Sequence, residues 1–467
     1  MSTTTPTQIV ILGGSGDLSK RKLLPALLDL YVSGNMPNDF NIIGLARTPR
    51  TSDEYRLIVS ESIRTGAHNH SIENIELFCS HISYVTGNFD DSQSYKNLNA
   101  ALSEYELSHK QNTNKLFYLA VPPAYYASIF EHLSTCCVLQ QQDTETYWSR
   151  ILVEKPFGSN LESAKKLEQT LSSLFQEQQI FRIDHYLAKE AVQNILSFRF
   201  ANVLFSNIWN KDSIHEVRIK MHEKIGIESR GQFYDNIGAL RDVGQNHLLQ
   251  LLALVAMDEP DTFTHEEIRL KRADILKNLR PVTDISKDVL KAQYDDYTNE
   301  EGVAAGSTTE TFFRIKTYID TPKWQNVPFY IEAGKSLQNK SVVIEVVFND
   351  VASGLFDTTN CKTIGNIITL TIEPEQSIEL TFNAKQSGYG YQLEQRHFRL
   401  PHQHEDGIKN SYEKVLLDCI AGDQTLFTST EEVFAAWNFI TPILENWNTL
   451  PLHNYKVGSN GPEEVVQ

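Results

Sequence analysis

The stretch IVILGGSGDLSKRKLLPALLDLY, residues 9–31, decides the fold of the first part of the chain. Its first four residues are apolar and predict a buried β-strand, the glycines after them predict a tight turn, and a basic helical segment begins directly afterwards. A strand, a glycine turn and a helix in this order are typical of a phosphate-binding site, because glycine lets the backbone approach the anion and the helix N-terminus stabilises its charge.

The glycine turn predicts dinucleotide binding in particular. Gly13, Gly16 and Ser19 have the spacing of a dinucleotide fingerprint, and they lie between a strand and a helix, as that fingerprint requires. An ordinary left-handed turn is the alternative. We expect the turn to hold a pyrophosphate group, and the predicted cofactor-binding residues are Gly13, Gly14, Ser15, Gly16, Asp17 and Leu18.

The end of the second strand predicts which dinucleotide is bound. NAD enzymes usually place Asp or Glu there for the ribose 2′-hydroxyl, whereas this chain reads GLARTPR and places Arg47. A guanidinium group pairs with a 2′-phosphate, which a carboxylate would repel. The sequence therefore favours NADP and leaves NAD open; the alternative is that Arg47 is a solvated loop arginine.

Charge and composition exclude several classes of partner. The chain has 467 residues and a formal net charge of −17, which repels nucleic acid and anionic membranes but permits a small anion in a locally basic pocket. No apolar run approaches the roughly 18 residues of a membrane span, and residues 1–8 lack the features of a signal peptide. Five cysteines without a CxxC motif predict reduced thiols, no metal site and a cytoplasmic location.

The hydrophobic pattern predicts two domains. Nearly continuous apolar runs alternate with helical stretches early in the chain, which favours a doubly wound parallel sheet. These runs are 9–12, 41–46, 115–121, 150–156 and 180–184. Later runs alternate apolar and polar residues, as antiparallel strands with one covered face do. They are 215–222, 312–319, 342–348, 366–373 and 377–382. We expect an α/β Rossmann-like N-terminal domain, residues 1–190, and an α+β C-terminal domain with a large, mostly antiparallel sheet, residues 191–467.

Helical periodicity and a polar stretch complete this outline. We expect a last helix opened by Ser429 and Glu432 in capping-box spacing, and an excursion loop over residues 277–310. The other predicted helices are 20–33, 161–175, 237–257 and 408–421.

The segment RIDHYLAKE, residues 182–190, places four polar side chains at a strand end and the turn after it. His185, Tyr186 and Lys189 are donors that suit a phosphate monoester, and Asp184 precedes them. Asp184 and His185 are adjacent in an extended segment, so we expect their side chains to point apart.

The segment RDVGQNHLLQLL, residues 241–252, lies on a predicted helix. Asp242 and Asn246 share one face at a spacing of four residues, and His247 lies one residue round. A single helix histidine is more often a packing residue than a catalyst, so this segment alone does not decide the role of His247.

Together these motifs resemble those of the glucose-6-phosphate dehydrogenases. GGSGDLSKRK, EKPFG, RIDHYLAKE, RGQFYDNIGALRDVGQNHLLQ, STTETF and VPFYIEAGKSL occur in the order seen in that family, and AAWNFITPILENW extends the resemblance to the last helix. The resemblance implies oxidation of D-glucose 6-phosphate at C1 to 6-phospho-D-glucono-1,5-lactone with hydride transfer to NADP, the first step of the oxidative pentose phosphate pathway. It also implies a homodimer or a dimer of dimers.

The resemblance assigns roles where residues match. It implies that His247 is the general base for the C1 hydroxyl and that Asp184 is its carboxylate partner, a pairing that orients an imidazole and stabilises its cation. The substrate-binding residues that it implies are Lys22, Lys155, His185, Tyr186, Lys189, Glu223, Asp242 and Lys335. It adds Tyr118, Pro122 and Lys155 to the cofactor site.

Four positions depart from the family pattern. Ala188 replaces a glycine, and Gly244 replaces a larger residue, which predicts a void beside the base. Glu332 replaces an arginine close to Lys335. Glu373 replaces a glutamine that would meet a sugar hydroxyl; it keeps an acceptor but loses the donors, so it bears on the preference among hexose 6-phosphates.

Two other functions fit part of the same sequence. One is a sugar dehydrogenase of another class, in which Lys155 of the EKP motif is the acid–base residue and His247 is secondary. The other is a protein without catalytic activity that senses NADP or a sugar phosphate. The set of Asp184, His247 and Lys189 favours the dehydrogenase, because a sensor needs no base oriented toward C1.

Overall fold

A computed structural model describes residues 5–66, 70–136, 146–350, 365–389, 392–401 and 411–463. The strands are β1 (Thr7–Leu12), β2 (Phe40–Ala46), β3 (Ile82–Thr86), β4 (Asn114–Leu119), β5 (Ser149–Val153), β6 (Ile180–Ile183), β7 (Ile214–His222), β8 (Val289–Tyr294), β9 (Phe312–Thr317), β10 (Phe329–Gly334), β11 (Ser341–Phe348), β12 (Ile367–Glu373), β13 (Ser377–Lys385), β14 (Leu393–Pro401), β15 (Phe427–Thr428) and β16 (Leu452–Tyr455).

The α-helices are α1 (Leu24–Val32), α2 (Ser52–Thr65), α3 (Ile72–Ser80), α4 (Ser92–His109), α5 (Tyr126–Thr135), α6 (Leu161–Leu174), α7 (Glu190–Phe200), α8 (Val203–Ser206), α9 (Gly231–Tyr234), α10 (Leu249–Ala256), α11 (His265–Lys277), α12 (Ile285–Asp288), α13 (Ser411–Ala421) and α14 (Thr430–Glu445). Two π-helices, Ser19–Leu23 and Leu240–Leu248, lead into α1 and α10.

The chain forms two compact units. The first comprises Met1–Ala188, Thr264–Glu266 and Asp406–Val433, and the second comprises Lys189–Phe263, Glu267–Glu405 and Phe434–Gln467. The first unit thus takes in a segment from late in the sequence, which the hydrophobic pattern did not indicate.

The sheet of the first unit has the strand order β15-β6-β5-β4-β1-β2-β3. Strands β1 to β6 pair in parallel, and β15 adds an antiparallel edge beside β6. The order reverses between β1 and β4, which is the topological switch point where ligands bind in doubly wound sheets. The predicted Rossmann-like architecture is confirmed. The sequence did not indicate β3, whose half-buried residues break the apolar run, or the two-residue β15.

The sheet of the second unit has the order β14-β13-β12-β11-β7-β10-β9-β8-β16. Only the pairs β7–β10 and β8–β16 are parallel among the strands described, so the predicted large, mostly antiparallel sheet is confirmed. The π-helix Leu240–Leu248 packs on β7 and β10, and β7 contributes Val217, Ile219 and Met221 to the buried core.

The predicted excursion loop over 277–310 is wrong, because β8 lies within it. The strand was missed because Lys291 and Gln293, which read as polar, are buried. Lys291 lies over the Trp447 ring and Gln293 donates to the backbone oxygens of Ser307 and Thr309, so tertiary partners replace the apolar pattern.

The predicted last helix is confirmed together with its start. The Glu432 N–H donates to Ser429 Oγ (3.2 Å) and the Ser429 N–H donates to Glu432 Oε2 (2.7 Å), which completes a capping box. The predicted helix 408–421 is described from Ser411 onward, and its first three positions lie outside the described residues. Within the described parts of the chain, no helix is long and apolar enough to cross a membrane.

Candidate active site

The glycine turn after β1 has a shape that only glycine permits. Gly13 has φ +92°, and a Cβ at this position would lie 2.3 Å from the backbone oxygen of Ala120. A Cβ on Gly14 would lie 2.7 Å from Gly44 Cα. The Gly13 N–H donates to the Leu45 oxygen (2.8 Å), so the turn is pinned to the end of β2. The result is a backbone cradle of the kind that accepts a pyrophosphate.

Two buried tyrosines hold the backbone around this cradle. The Tyr55 hydroxyl donates to the Gly14 oxygen (2.7 Å), and the Tyr84 hydroxyl donates to the oxygens of Ala46 (3.1 Å) and Thr48 (2.7 Å), on either side of Arg47. The two rings lie 4.8 Å apart. Burial raises the pKa of both phenols, so they remain neutral donors. Neither tyrosine carries a sequence signal that would have identified it.

The carboxyl edge of the first sheet gathers most of the predicted residues of this unit. Strand β1 leads into Gly13, β2 into Arg47, β4 into Pro122, β5 into Lys155 and β6 into Asp184. Neighbouring parallel strands end at the same edge, so the topology brings these positions together. Arg47 and Pro122 are exposed, and Lys155 is half-buried. Lys22 is also exposed, on the π-helix Ser19–Leu23.

Tyr118 is enclosed rather than presented to a ligand. Its side chain is 1% exposed and its hydroxyl donates to Glu154 Oε1 (2.5 Å). Burial raises the pKa of the Glu154 carboxyl, although the Tyr118 hydrogen bond and the charge of Lys155 oppose the rise. Glu154 directly precedes Lys155 and therefore fixes the backbone from which that lysine projects. The EKPFG motif contains Glu154, and that was the only sequence signal for it.

Asp184 is buried at the end of β6 and held by its own turn. The Tyr186 N–H donates to Asp184 Oδ1 (3.0 Å), which orients the carboxylate. His185 and Tyr186 are half-buried and their rings lie 5.1 Å apart. Two residues earlier, Arg182 is fully buried and pairs with Glu168 (2.6 Å) and Glu177 (3.0 Å), so the strand end is firmly anchored.

In the second unit, Lys335, Glu223 and Asp242 form one charged cluster. Strands β7 and β10 are parallel, with His222 opposite Gly334, so the residues that follow them, Glu223 and Lys335, leave the sheet side by side. The Lys335 ammonium pairs with Glu223 Oε2 and lies 3.7 Å from Asp242 Oδ2. Lys335 is 3% exposed. The cluster lines a small pocket together with Met221 and Val243, and its carboxylates are acceptors suited to sugar hydroxyls.

The segment that carries Asp242 and His247 is a π-helix, where the sequence predicted an α-helix. In a π-helix, the hydrogen bonds join residues i and i+5. Asp242 and His247 are five residues apart, so they lie about one turn apart on the same side of the helix. In an α-helix, they would point in different directions. His247 is 1% exposed. The Asn246 side-chain amide donates to the backbone oxygen of Asp242 (3.0 Å).

Glu310 fixes the start of this π-helix. Its Oε1 accepts the Leu240 N–H (3.0 Å) and its Oε2 accepts the Trp447 indole N–H (3.0 Å). Burial raises the pKa of the Glu310 carboxyl, against the effect of these hydrogen bonds. The STTETF motif contained Glu310, but nothing in the sequence connected it to residue 240.

The predicted void beside Gly244 is wrong. A Cβ at this position would lie 2.7 Å from Phe313 Cζ and 2.8 Å from Leu240 Cδ1. Phe313 therefore fills the space that the missing side chain leaves.

Lys189 and Glu373 form a second charged group in this unit. Lys189 precedes α7 and its ammonium pairs with Glu373 Oε1, at the end of β12. Lys340 lies 2.8 Å from Glu373 Oε2. Burial raises the pKa of the Glu373 carboxyl, but the two ammonium groups outweigh it and the net pKa is lowered from its ordinary value.

Glu332, another departure from the family pattern, pairs with residues other than Lys335. It is 5% exposed and pairs with His222 Nε2 (2.7 Å), with Arg314 Nε at 3.9 Å. Across the described ranges, no group of three or more His, Cys, Asp and Glu side chains is arranged to hold a metal ion.

Comparison with known proteins decides the family. The family profile "Glucose-6-phosphate dehydrogenase, NAD binding domain" matches residues 10–194, and "Glucose-6-phosphate dehydrogenase, C-terminal domain" matches residues 196–467. The chain belongs to the glucose-6-phosphate dehydrogenase family. The resemblance that the motifs indicated is therefore confirmed.

Individual members of the glucose-6-phosphate dehydrogenase family are similar over nearly their whole length. The glucose-6-phosphate 1-dehydrogenase of Chlamydia muridarum is 37% identical, covering 98% of this chain and 94% of the relative. The Arabidopsis thaliana protein named "Glucose-6-phosphate 1-dehydrogenase 6, cytoplasmic" is 38% identical, covering 98% of this chain and 90% of the relative. A solved glucose-6-phosphate dehydrogenase in complex with its substrate glucose-6-phosphate is 34% identical with a TM-score of 0.91, covering 100% and 98%.

Proposed function

We propose that this chain oxidises D-glucose 6-phosphate at C1 to 6-phospho-D-glucono-1,5-lactone and transfers the hydride to NADP. The observation that carries the proposal is the pairing of Lys335 with Glu223 and Asp242, beside the π-helix that holds His247, in a member of this family. A cation and two fixed carboxylates are the groups that a phosphorylated polyol requires. A sensor of a sugar phosphate would use the same binding groups, but it would need no base such as His247.

The residues of the first unit fit a bound NADP. The Gly13–Gly16 cradle would hold its pyrophosphate, since a Cβ there would collide with neighbouring backbone. Arg47, on the loop held by Tyr84, would pair with the 2′-phosphate, and Lys155 would lie toward the nicotinamide. When bound, this cofactor supplies the hydride acceptor, and the protein supplies position and proton removal.

The remaining site residues are assigned as the resemblance implies. We propose that His247 takes the proton from the C1 hydroxyl as the C1 hydride leaves, and that Asp184 stabilises the imidazolium that forms. His185, Tyr186 and Lys189 bind the phosphate of the substrate, with Lys22 and Lys155 near the sugar. Glu223 and Asp242 accept hydrogen bonds from the sugar hydroxyls. These assignments are supported by burial of His247 and by the Tyr186 N–H bond that orients Asp184.

A spectrophotometric assay with glucose 6-phosphate and either NADP or NAD tests the reaction. We expect turnover with NADP, a lower kcat/KM with NAD, and loss of turnover by at least about a thousandfold in His247→Asn with NADP affinity retained. Turnover that survives His247→Asn and is lost only in Lys155→Met would favour the EKP-lysine class. Absence of turnover in the unaltered protein with both cofactors would favour the sensor.

Comparison of glucose with glucose 6-phosphate tests the phosphate subsite. We expect kcat/KM to be at least about a hundredfold higher for the phosphorylated sugar, because a cationic site that is left without its anion loses binding energy. Lys189→Met should reduce this ratio. Equal values for the two sugars would contradict the assignment of His185, Tyr186 and Lys189.

We propose further that the protein is a cytoplasmic homodimer, or a dimer of dimers built from it. Phe398 and Leu400 of β14 and Phe382 of β13 lie on one face of the sheet and are 56%, 55% and 44% exposed, an apolar patch that a second subunit would cover. The cysteines described, Cys79, Cys136 and Cys419, are free thiols, in keeping with a reducing compartment. Light scattering of the full chain, with Phe398→Glu as the variant, tests the dimer; a monomeric unaltered protein would contradict it.

A further inference from the structure

The carboxylate of Glu373 is shared between two lysines of the second unit. One oxygen pairs with Lys189, and the other lies 2.8 Å from Lys340. The side chains of Lys189 and Glu373 are 18% and 17% exposed, whereas that of Lys340 is 58% exposed. Glu373 is therefore held between an enclosed cation, which is proposed to bind the substrate phosphate, and an outer cation that faces solvent.

This arrangement affects the affinity of Lys189 for any other anion. A carboxylate in contact with an ammonium group cancels much of its field, so a phosphate must compete with Glu373 for the same cation. Without a counter-ion, however, a mostly enclosed Lys189 would be costly when no substrate is bound. Glu373 thus stabilises the empty subsite at the expense of its affinity for phosphate.

Lys340 provides a second partner for the carboxylate. It lies against the oxygen that does not contact Lys189, so Glu373 stays neutralised when its contact with Lys189 is broken. We propose that Glu373 is an internal counter-ion of Lys189 that the substrate phosphate displaces, and that Lys340 retains the displaced carboxylate. Glu373 is then a positioning residue that acts through Lys189. This inference rests on the proposed phosphate-binding role of Lys189.

The two neighbours of Lys189 predict opposite effects. Glu373→Gln keeps the size of the side chain and removes its charge. The KM for glucose 6-phosphate and the inhibition constant of inorganic phosphate should therefore both fall about two- to fivefold, which matches the free energy of a partly exposed ion pair. Lys340→Met leaves Glu373 with Lys189 as its only ammonium partner among the described contacts, so both constants should rise about twofold. In the Glu373→Gln background, Lys340→Met should have a much smaller effect, because the carboxylate that couples the two lysines is gone.

Two controls separate this mechanism from a general effect of charge or folding. Glu375→Gln makes the same change of net charge two residues away, on a side chain that is 83% exposed and pairs with Arg399, and it should change neither constant by more than about 1.5-fold. In Glu373→Gln, the KM for unphosphorylated glucose should stay unchanged. A distorted sugar site would instead change the KM for both glucose and glucose 6-phosphate.

The outcomes distinguish this inference from the proposed function. If Glu373→Gln leaves the phosphate inhibition constant unchanged or raises it, while Lys189→Met reduces the preference for the phosphorylated sugar, only the counter-ion mechanism is overturned. If Lys189→Met leaves that preference intact, the phosphate subsite itself is overturned. Should Glu373→Gln fail to fold, a fall of both constants in Lys340→Met, against the expected rise, still contradicts the mechanism.

Discussion

The glycine turn of the first unit and the charged clusters of the second unit present their polar groups by opposite means. The turn offers backbone groups, and the buried Tyr55 fixes it through the carbonyl oxygen of Gly14. The clusters around Lys335 and Lys189 offer charged side chains, and carboxylates fix these through ion pairs. A backbone site is therefore damaged when atoms are added to it, and a side-chain site when a charge is removed.

The largest effect is expected from adding one carbon atom to the turn. Gly13→Ala would place a Cβ 2.3 Å from the Ala120 oxygen at φ +92°. Both segments are held by backbone hydrogen bonds, from the Gly13 N–H to the Leu45 oxygen (2.8 Å) and from the Ala120 N–H to the Leu12 oxygen (2.9 Å). We expect a loss of roughly 3–5 kcal/mol in stability and at least a hundredfold weaker NADP binding, measured by thermal unfolding and equilibrium titration. Gly34→Ala is the matched control, since Gly34 also has positive φ (+73°) but no atom within 4 Å of the added carbon. Equal losses in the two variants would show that backbone strain alone, and not the close approach, shapes the turn.

A smaller effect is expected from removing the central charge of the other site. Lys335→Met leaves Glu223 and Asp242 facing each other without their cation, and Lys335 is 3% exposed. Because the two carboxylates are partly solvated, we expect about 2–3 kcal/mol of lost stability, less than for a fully buried pair, together with a large rise in the KM for glucose 6-phosphate. Denaturant unfolding and steady-state kinetics measure both. Glu223→Gln should cost less than Lys335→Met, and the reverse order would mean that the carboxylate, not the lysine, organises the cluster.

An intermediate test removes a hydroxyl that holds the backbone beside Arg47. Tyr84→Phe deletes the hydrogen bonds to the oxygens of Ala46 and Thr48, worth about 1 kcal/mol, and loosens the loop that presents the guanidinium group. NADP affinity should fall about fivefold and NAD affinity much less, as followed by titration of each cofactor. Tyr55→Phe, which acts on the Gly14 oxygen, should weaken both cofactors alike. If Tyr84→Phe also weakens both alike, Arg47 does not discriminate between them.

The smallest effect concerns pH, to which only the charged clusters should respond. The pKa of Glu373 is lowered in the folded protein from its ordinary 4.5, so its contribution to stability is complete above about pH 4.5 and is lost as the pH falls through the folded-state pKa. The difference in melting temperature between the unaltered protein and Glu373→Gln should be below about 2 °C near neutrality and should shrink on acidification. A difference that grows as the pH falls would reverse the sign of the shift.

The same contrast explains how much the sequence revealed. The glycine turn is local, so its residue spacing predicted strand, turn and helix together. The pairing of Glu223 with Lys335 depends on the register of β7 and β10, which lie more than a hundred residues apart in sequence, so only the family resemblance pointed to it. Glu310, Tyr55 and Tyr84 act on distant backbone atoms and have no pattern of their own. The π-helix around His247 was predicted to be an α-helix because nine residues are too few for their apolar pattern to distinguish the two helix types.

The π-helix Leu240–Leu248 makes the orientation of His247 depend on residue count as well as residue type. Each residue of an α-helix turns the chain by about 100°, so deleting a single position here would let this segment rewind as an α-helix and change the direction of Asp242 relative to His247 while the apolar α10 stayed in place. Among natural relatives, this stretch should therefore tolerate exchanges of side chains other than Asp242 and His247 far better than gaps.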